Sequence, residues 1–275
     1  MIFDTHAHYT ARQFDGHRDA LLDGLPGQGV CAVVDCATDG ATARQSLALG
    51  RRWTWLYTAA GIHPESLIEE DASTQTQYGG DWRAELADIR ALLDEPRVVA
   101  VGEIGLDYHW PIPKDAQMAL FLAQLELAAE KDLPVLIHDR EAHADMYAVL
   151  KERRPRGILH CYSGSADDAL WLTQQGLYLG FGGTVTFKNA RKTVEAAAAC
   201  PLDKLVLETD CPYLAPEPLR GTENNSATIA YVARRIAEIK GLSEAEVLRV
   251  TEENARRLFG LPDGQKNLAN SPGIG

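Results

Sequence analysis

Two histidines one residue apart stand near the start of the chain, in Ile2-Phe3-Asp4-Thr5-His6-Ala7-His8. In an extended strand side chains alternate between faces, so His6 and His8 point to one side while Thr5 and Ala7 point to the other. Two imidazoles converging on one point make half of a metal site, because neutral imidazole is a good ligand for zinc and its transition-metal neighbours. Further donors stand at or near the ends of later apolar runs: His63, Glu103, His138, His160 and Asp210.

Eight such runs must position these residues, at 1–8, 30–38, 55–63, 98–107, 133–140, 157–163, 177–186 and 205–213. Valine, isoleucine and leucine dominate them with little polar alternation, as in strands covered on both faces. Between them lie helical stripes, for example Trp82, Leu86, Ile89 and Leu93, or Met118, Phe121, Leu122 and Leu125. Ser165 with Asp168 reads as a helix start and Gly176 as a helix stop. After the eighth run, 228–240 reads as a helix closed by Gly241; another, opened by Ser243 and Glu246, carries Val247, Val250 and Leu258 to Gly260. Eight βα units in series predict the α/β class: a single (β/α)8 TIM barrel domain over 1–262, eight-stranded and parallel. A doubly wound open sheet is the alternative, but no Gly-rich dinucleotide fingerprint follows the first strand. The polar stretch 64–80 is expected as a surface loop over one barrel end, and 263–275 as a flexible Gly/Pro-rich tail.

The chain has 275 residues, 45% of them hydrophobic and 24% charged, which fits a globular protein with a sizeable core. No apolar run approaches membrane-spanning length and no basic segment precedes an apolar one at the N-terminus, so the expected location is the cytoplasm. Five cysteines, at 31, 36, 161, 200 and 211, form no CxxC pair and read as reduced thiols. Cys161 and Cys211 adjoin candidate site residues, but along a strand they face the other way. A net charge of −12 argues against a broad electrostatic grip on duplex DNA. A polyanion would be held locally, and neither a membrane nor an obligate protein partner is indicated.

In barrels of this kind the active site lies at the C-terminal ends of the strands. There the first strand ends in His6 and His8, and His63, Glu103, His138, His160 and Asp210 belong to the third, fourth, fifth, sixth and eighth. Closure brings Asp210 beside His6 and His8, while Glu103, His138 and His160 meet across the mouth. Two facing groups suit two divalent cations about 3.5–4 Å apart, with Glu103 as the bridge because a carboxylate has two oxygens. Four imidazoles and two carboxylates around two such ions leave a local charge of about +2, attractive to a phosphate diester or a polarised carbonyl.

These residues resemble those of the TatD-type metal-dependent deoxyribonucleases, within the amidohydrolase superfamily. The likeness runs through DTHAHY at 4–9, GIHPE at 61–65, GEIGLDYHW at 102–110, LPVLIHDR at 133–140 and HCYSGS at 160–165. It continues in FGGTVTFKNA at 181–190, LETDCPYLAPEPLRG at 207–221 and ENARRLFG at 253–260. The resemblance implies one metal on His6, His8, Glu103 and Asp210 and another on Glu103, His138 and His160. It implies phosphodiester hydrolysis, removing nucleotides from single-stranded DNA ends, with His63 of the G-x-H-P motif contacting the substrate phosphate. The chain departs from the family pattern in two places: Glu65 replaces a common second histidine, and Asn225-Ser226 follow Asn224 where Glu-Pro is usual. The missing carboxylate bears on the Arg220 loop and on substrate preference.

The expected chemistry is in-line attack on phosphorus by a cation-acidified water, with Asp210 as general base and the metals stabilising the entering and leaving oxygens. Arg220, Lys188 and Arg140, after strands eight, seven and five, are candidates for phosphate oxygens, and Tyr108 or His109 for base stacking. Four histidines favour zinc, manganese, cobalt or iron, whereas the resemblance implies magnesium. The rival reading is a small-molecule amidohydrolase or lactonase on the same dinuclear site; such enzymes often bridge the metals with a carboxylated lysine on the fourth strand, where Glu103 stands here. A barrel kept only as a binding scaffold predicts missing ligands, and none is missing.

Overall fold

A computed structural model of the chain describes residues 1–262; the expected tail at 263–275 lies outside the described residues. Eight strands, β1 (Ile2–Ala7), β2 (Val30–Cys36), β3 (Leu56–Ala59), β4 (Val98–Asp107), β5 (Val135–Arg140), β6 (Gly157–Leu159), β7 (Tyr178–Phe181) and β8 (Leu205–Leu207), pair in parallel and in sequence order. Ala7 and Cys211 form a parallel bridge that brings the last strand round to the first. There His8 N–H donates to Cys211 O at 2.8 Å and Asp210 N–H to His6 O at 2.9 Å. The closure is made by the same residues that carry metal donors.

Helices α1 (Arg18–Gly24) and α2 (Gly40–Arg52) follow the first two strands, and α3 (Ser73–Thr76) and α4 (Trp82–Leu92) the third. Next come α5 (Lys114–Glu130), α6 (His143–Arg153), α7 (Ala166–Gln174) and α8 (Arg191–Ala199), then α9 (Ile229–Lys240) and α10 (Glu244–Phe259) after β8. The ends of α7 show why sequence sets these limits. Ser165 Oγ accepts the Asp168 N–H at 3.1 Å. At the other end Gly176 takes φ +102°, and Leu177 N–H returns to Leu172 O at 3.3 Å, closing a turn that an L side chain would strain. Among the described residues no helix is long and apolar enough to cross a membrane.

Alternation along the strands sorts two apolar layers. Ile137 and Leu159 pack outward with the helices, whereas Leu136 and Ile158 join Phe3, Ala32, Val34, Tyr178 and Val206 in the barrel interior. His138 and His160 follow Leu136 and Ile158 by two residues, so the interior face that buries leucine and isoleucine delivers imidazole at the rim. A fully buried leucine here is worth about 2–5 kcal/mol over alanine. The base is plugged by α10: Phe259 stacks on Phe3 at 6.0 Å, and Asn254 Nδ2 donates to Leu202 O and Leu205 O at 2.8 Å each. Chemistry is left to the opposite rim.

Several strands are shorter than the apolar runs that announced them. The ladders of β6 and β8 stop at Leu159 and Leu207, and 183–186 is a 3-10 turn rather than a continuation of β7. Near the mouth the strands leave the ladder, and left-handed backbone at Cys161 (φ 45°) and Asp210 (φ 58°) turns the chain across the opening. His160 and Asp210 therefore sit just past strand ends. The stretch 64–80 is also more ordered than a polar surface loop. It holds a 3-10 turn at Pro64–Leu67 and the short α3. Buried Glu85 of α4 accepts Gly40 N–H at 2.9 Å and the hydroxyls of Ser73 and Thr74, while Asp39 Oδ2 accepts Ser73 N–H at 2.7 Å.

Candidate metal centre

Glu103, 3% exposed and on β4, lies between two sets of nitrogen donors. Its Oε2 is 3.3 Å from His6 Nε2 and 3.4 Å from His8 Nε2. Its Oε1 is 3.0 Å from His138 Nδ1 and 2.8 Å from His160 Nε2. Asp210 Oδ1 joins the first set, 3.2 Å from His8 Nε2 and 3.8 Å from His6 Nε2. Within the sets, His6 and His8 Nε2 are 3.2 Å apart, and His138 Nδ1 and His160 Nε2 are 3.3 Å apart.

These spacings test the fit of a cation. Two donors bound at about 2.0–2.2 Å, at right or tetrahedral angles, lie roughly 2.8–3.6 Å from each other. Most of the distances around Glu103 fall in that window. The groups His6/His8/Glu103, His6/His160/Asp210 and His63/Glu103/His138 each keep their donor atoms within 4.8 Å of one another. A set of imidazoles and carboxylates is what a divalent ion binds, so the residues fit one.

Outer partners aim the rings. His8 Nδ1 lies 2.9 Å from Cys36 O, a carbonyl that can only accept, so Nδ1 carries a proton and Nε2 is the nitrogen turned to the site, free to ligate once it gives up its own. His138 is turned the other way round, with Nε2 2.9 Å from Asp107 Oδ2 and Nδ1 facing Glu103. Asp107 is fully buried, and the sequence reading missed it. His63, expected against substrate phosphate, is buried with Nε2 3.7 Å from Glu103 Oε1 and its ring edge-on to His138 at 4.5 Å; Nδ1 accepts Glu65 N–H at 3.2 Å. It stands among the donors.

Burial opposes charge on every ring, and the carboxylates decide which rings resist. Against that burial, the hydrogen bond to Asp210 and the charge of Glu103 raise His8 to about 9. Asp107 and Glu103 likewise raise His138 to about 10. Burial and the neighbouring His160 lower His6 to about 4, and burial lowers His63 to about 3. Glu103 is buried too, yet the surrounding histidines hold it well below the usual carboxylate range; Asp210 is also held down, chiefly by His8. Two ionised carboxylates thus face rings that carry exchangeable protons. Beneath them lies Glu208, fully buried and pushed up to about 8 by that burial, with Cys161 N–H donating to its Oε1. Two residues before Asp210, it was signalled only as an acid near the end of an apolar run.

The expected substrate contacts are less gathered. Lys188 and Arg220 are exposed on loops of this rim and Arg140 is the exposed last residue of β5, not a loop residue as expected; among the described residues none of the three is in an ion pair. The Arg220 guanidinium lies 4.5 Å over the Phe187 ring. His109 is exposed but paired with Glu141 at 2.9 Å. Tyr108 is half-buried, its hydroxyl donates to Asp145 at 2.7 Å and Lys114 Nζ lies 3.8 Å over one face of its ring. The exposed aromatics are instead Trp110 (43%), next to His109, and Tyr213 (49%), edge-on to His8 at 6.5 Å. Neither was anticipated.

Asn224 and the two departures that follow it, Asn225 and Ser226, anchor the loop that carries Asp210. Asn224 Nδ2 donates to Thr209 O at 3.0 Å and Tyr213 O at 2.7 Å, and Ser226 Oγ to Asp4 Oδ2 at 2.7 Å. Asn225 accepts Ala227 N–H at 3.0 Å, capping a short turn. Glu65 is half-buried beside Asp107 and His138, and burial raises its carboxyl.

Comparison with known proteins gives the same answer along the whole barrel. A family model described as TatD related DNase matches residues 3–260. An uncharacterized metal-dependent hydrolase, YabD of Bacillus subtilis (strain 168), is 40% identical over 266 residues, covering 94% of this chain and 99% of its own. A protein of Cronobacter sakazakii named 3'-5' ssDNA/RNA exonuclease TatD is 35% identical over 271 residues, covering 94% and 97%. The crystal structure of YjjV, a TatD homologue from Escherichia coli K12, superposes with a TM-score of 0.85 at 32% identity, covering 95% of this chain and 98% of that one.

Proposed function

The chain belongs to the TatD family of metal-dependent hydrolases, and from that premise we propose that it removes nucleotides from the ends of single-stranded DNA by phosphodiester hydrolysis. One observation carries the reading: Glu103 offers one oxygen to His6 and His8 and the other to His138 and His160. That arrangement suits two divalent ions, magnesium, manganese or zinc, which when bound acidify a water and neutralise the charge on phosphate oxygens. In this reading His6, His8, Glu103 and Asp210 hold one ion, and Glu103, His138 and His160 the other.

The remaining roles belong to side chains of the rim. Asp210, held ionised, accepts the proton of the attacking water. Arg220, Lys188 and Arg140 steady phosphate oxygens, and His63 and His109 border the same path. Trp110 and Tyr213 give exposed ring faces on which unpaired bases stack, worth about 1–3 kcal/mol per base. Stacking of that kind suits a single strand, whose bases are free to splay. With a net charge of −12, the grip is local to the mouth. The printed name of the Cronobacter relative supports single strands degraded from the 3′ end.

The test is hydrolysis of 3′- and 5′-labelled oligonucleotides after metal repletion, beside a panel of lactones and amides. The expected result is stepwise shortening of single strands, abolished by EDTA and by Glu103→Gln or Asp210→Asn. Intact DNA with each divalent ion, together with turnover of a lactone or amide, would assign the site to small-molecule hydrolysis.

A further inference from the structure

Among the four histidines proposed as ligands, His8 and His138 have an outer hydrogen-bond partner on the ring nitrogen away from Glu103, and His6 and His160 do not; of those two, His160 has a carboxylate facing that nitrogen. His160 Nδ1 is buried and without a partner, and so is Glu208 Oε2. The two side chains face each other, with His160 Nδ1 3.9 Å from Glu208 Oε1. Glu208 has no lysine or arginine beside it among the described residues, and its protein donor is the Cys161 N–H. A buried carboxylate so placed is costly unless something positive or a donor answers it.

The neighbouring backbone makes room for this group. A Cβ on Gly180 would run into the Glu208 carboxylate, meeting Oε2 and lying 2.6 Å from Cδ. Gly180 of β7 thus leaves a slot that the carboxylate occupies. His160 can ligate through Nε2, the nitrogen 2.8 Å from Glu103, only when the proton resides on Nδ1.

We propose that Glu208 is a positioning residue: its carboxylate accepts the Nδ1–H of His160 and so fixes the tautomer and ring orientation in which Nε2 serves as a metal ligand. This rests on the reading of His160 as a ligand. Asp107, buried at the end of β4, already stands in that relation to His138, at 2.9 Å. Glu208 does the same from below, and closing 3.9 Å to hydrogen-bond length takes a shift of about 1 Å. The acceptor keeps the ring basic as well as oriented.

Two readouts other than turnover test this. Metal dissociation constants, from chelator competition with manganese or zinc, should weaken about 10–100-fold in Glu208→Gln, because an amide offers Cys161 N–H its one oxygen and turns an NH2 toward Nδ1–H. Ring nitrogen NMR of the zinc-loaded wild type should show His160 Nδ1 protonated and its proton protected from exchange, with that protection lost in Glu208→Gln. Gly180→Ala, which displaces the carboxylate without removing it, should weaken metal binding in the same sense. His160→Asn is the control for the underlying assignment: unchanged metal binding there would refute His160 as a ligand. Loss of metal in His160→Asn, with Glu208→Gln binding as wild type or with the proton on Nε2, would refute the positioning role alone.

Discussion

Replacing Glu103 with glutamine keeps the side chain's size and removes half of what it does. In the native site Oε2 lies 3.3 and 3.4 Å from His6 and His8, and Oε1 lies 3.0 and 2.8 Å from His138 and His160. An amide has one oxygen, so one donor set keeps an acceptor atom and the other receives an NH2 that cannot ligate. Neither set keeps the full negative charge. Zinc bound by four ligands gains about 10–16 kcal/mol, or roughly 3–4 kcal/mol per ligand. At about 1.4 kcal/mol per decade, one of the two sites should weaken by two decades or more, while the other weakens less. The assay is metal content per chain after equilibration against a graded chelator, followed by oligonucleotide hydrolysis at saturating metal. The expected pattern is loss of about one ion at chelator levels the wild type withstands, with a fall in hydrolysis of at least ~100-fold. A glutamine variant that keeps wild-type affinity for every ion it binds would refute Glu103 as the shared ligand.

Asp107→Asn should leave the fold intact and weaken metal binding about 10–100-fold, because the 2.9 Å contact to His138 Nε2 loses its charge; isothermal titration reads it. Metal affinity should rise with pH from near neutrality and level off at about 9–10, since a cation must displace protons from His8 and His138, whose folded values are raised to those levels; chelator competition at several pH values reads the slope. The same two raised rings stabilise the metal-free protein fully below their ordinary value of about 6.5, and that contribution is lost as pH climbs through about 9–10, so the metal-free Tm should fall over that range. Gly105→Ala should cost about 3 kcal/mol or more in denaturant unfolding, because φ is +153° there and a Cβ meets His138 O.

The βα period and the donor set were legible because both are written locally. Buried runs of valine, isoleucine and leucine mark strands, and donors at the ends of several runs can meet only if the sheet curls round. Closure then brings Asp210 to His6, as the backbone bond between them records. The outer partners were hidden because their role depends on which ring nitrogen faces inward. Asp107 answers Nε2 of His138, whereas the Cys36 carbonyl answers Nδ1 of His8, and no spacing in sequence distinguishes the two. Order in 64–80 was hidden for a similar reason, since Glu85 and Asp39, which fasten it, lie outside that stretch. At the rim, Lys188 and Arg220 stand on their expected loops and Arg140 ends β5 instead, but long exposed side chains carry no instruction about what they touch. Tyr108 was a fair candidate by position; it is half-buried with its hydroxyl tied to Asp145, while Trp110 two residues on is exposed.

The central claim is that Glu103 divides two donor sets, each holding an ion. Anomalous diffraction from crystals soaked in manganese addresses it directly. The account predicts two peaks about 3.5–4 Å apart, one bordered by His6, His8 and Asp210 and the other by His138 and His160, with Glu103 between them. A single peak, or peaks away from Glu103, would contradict it.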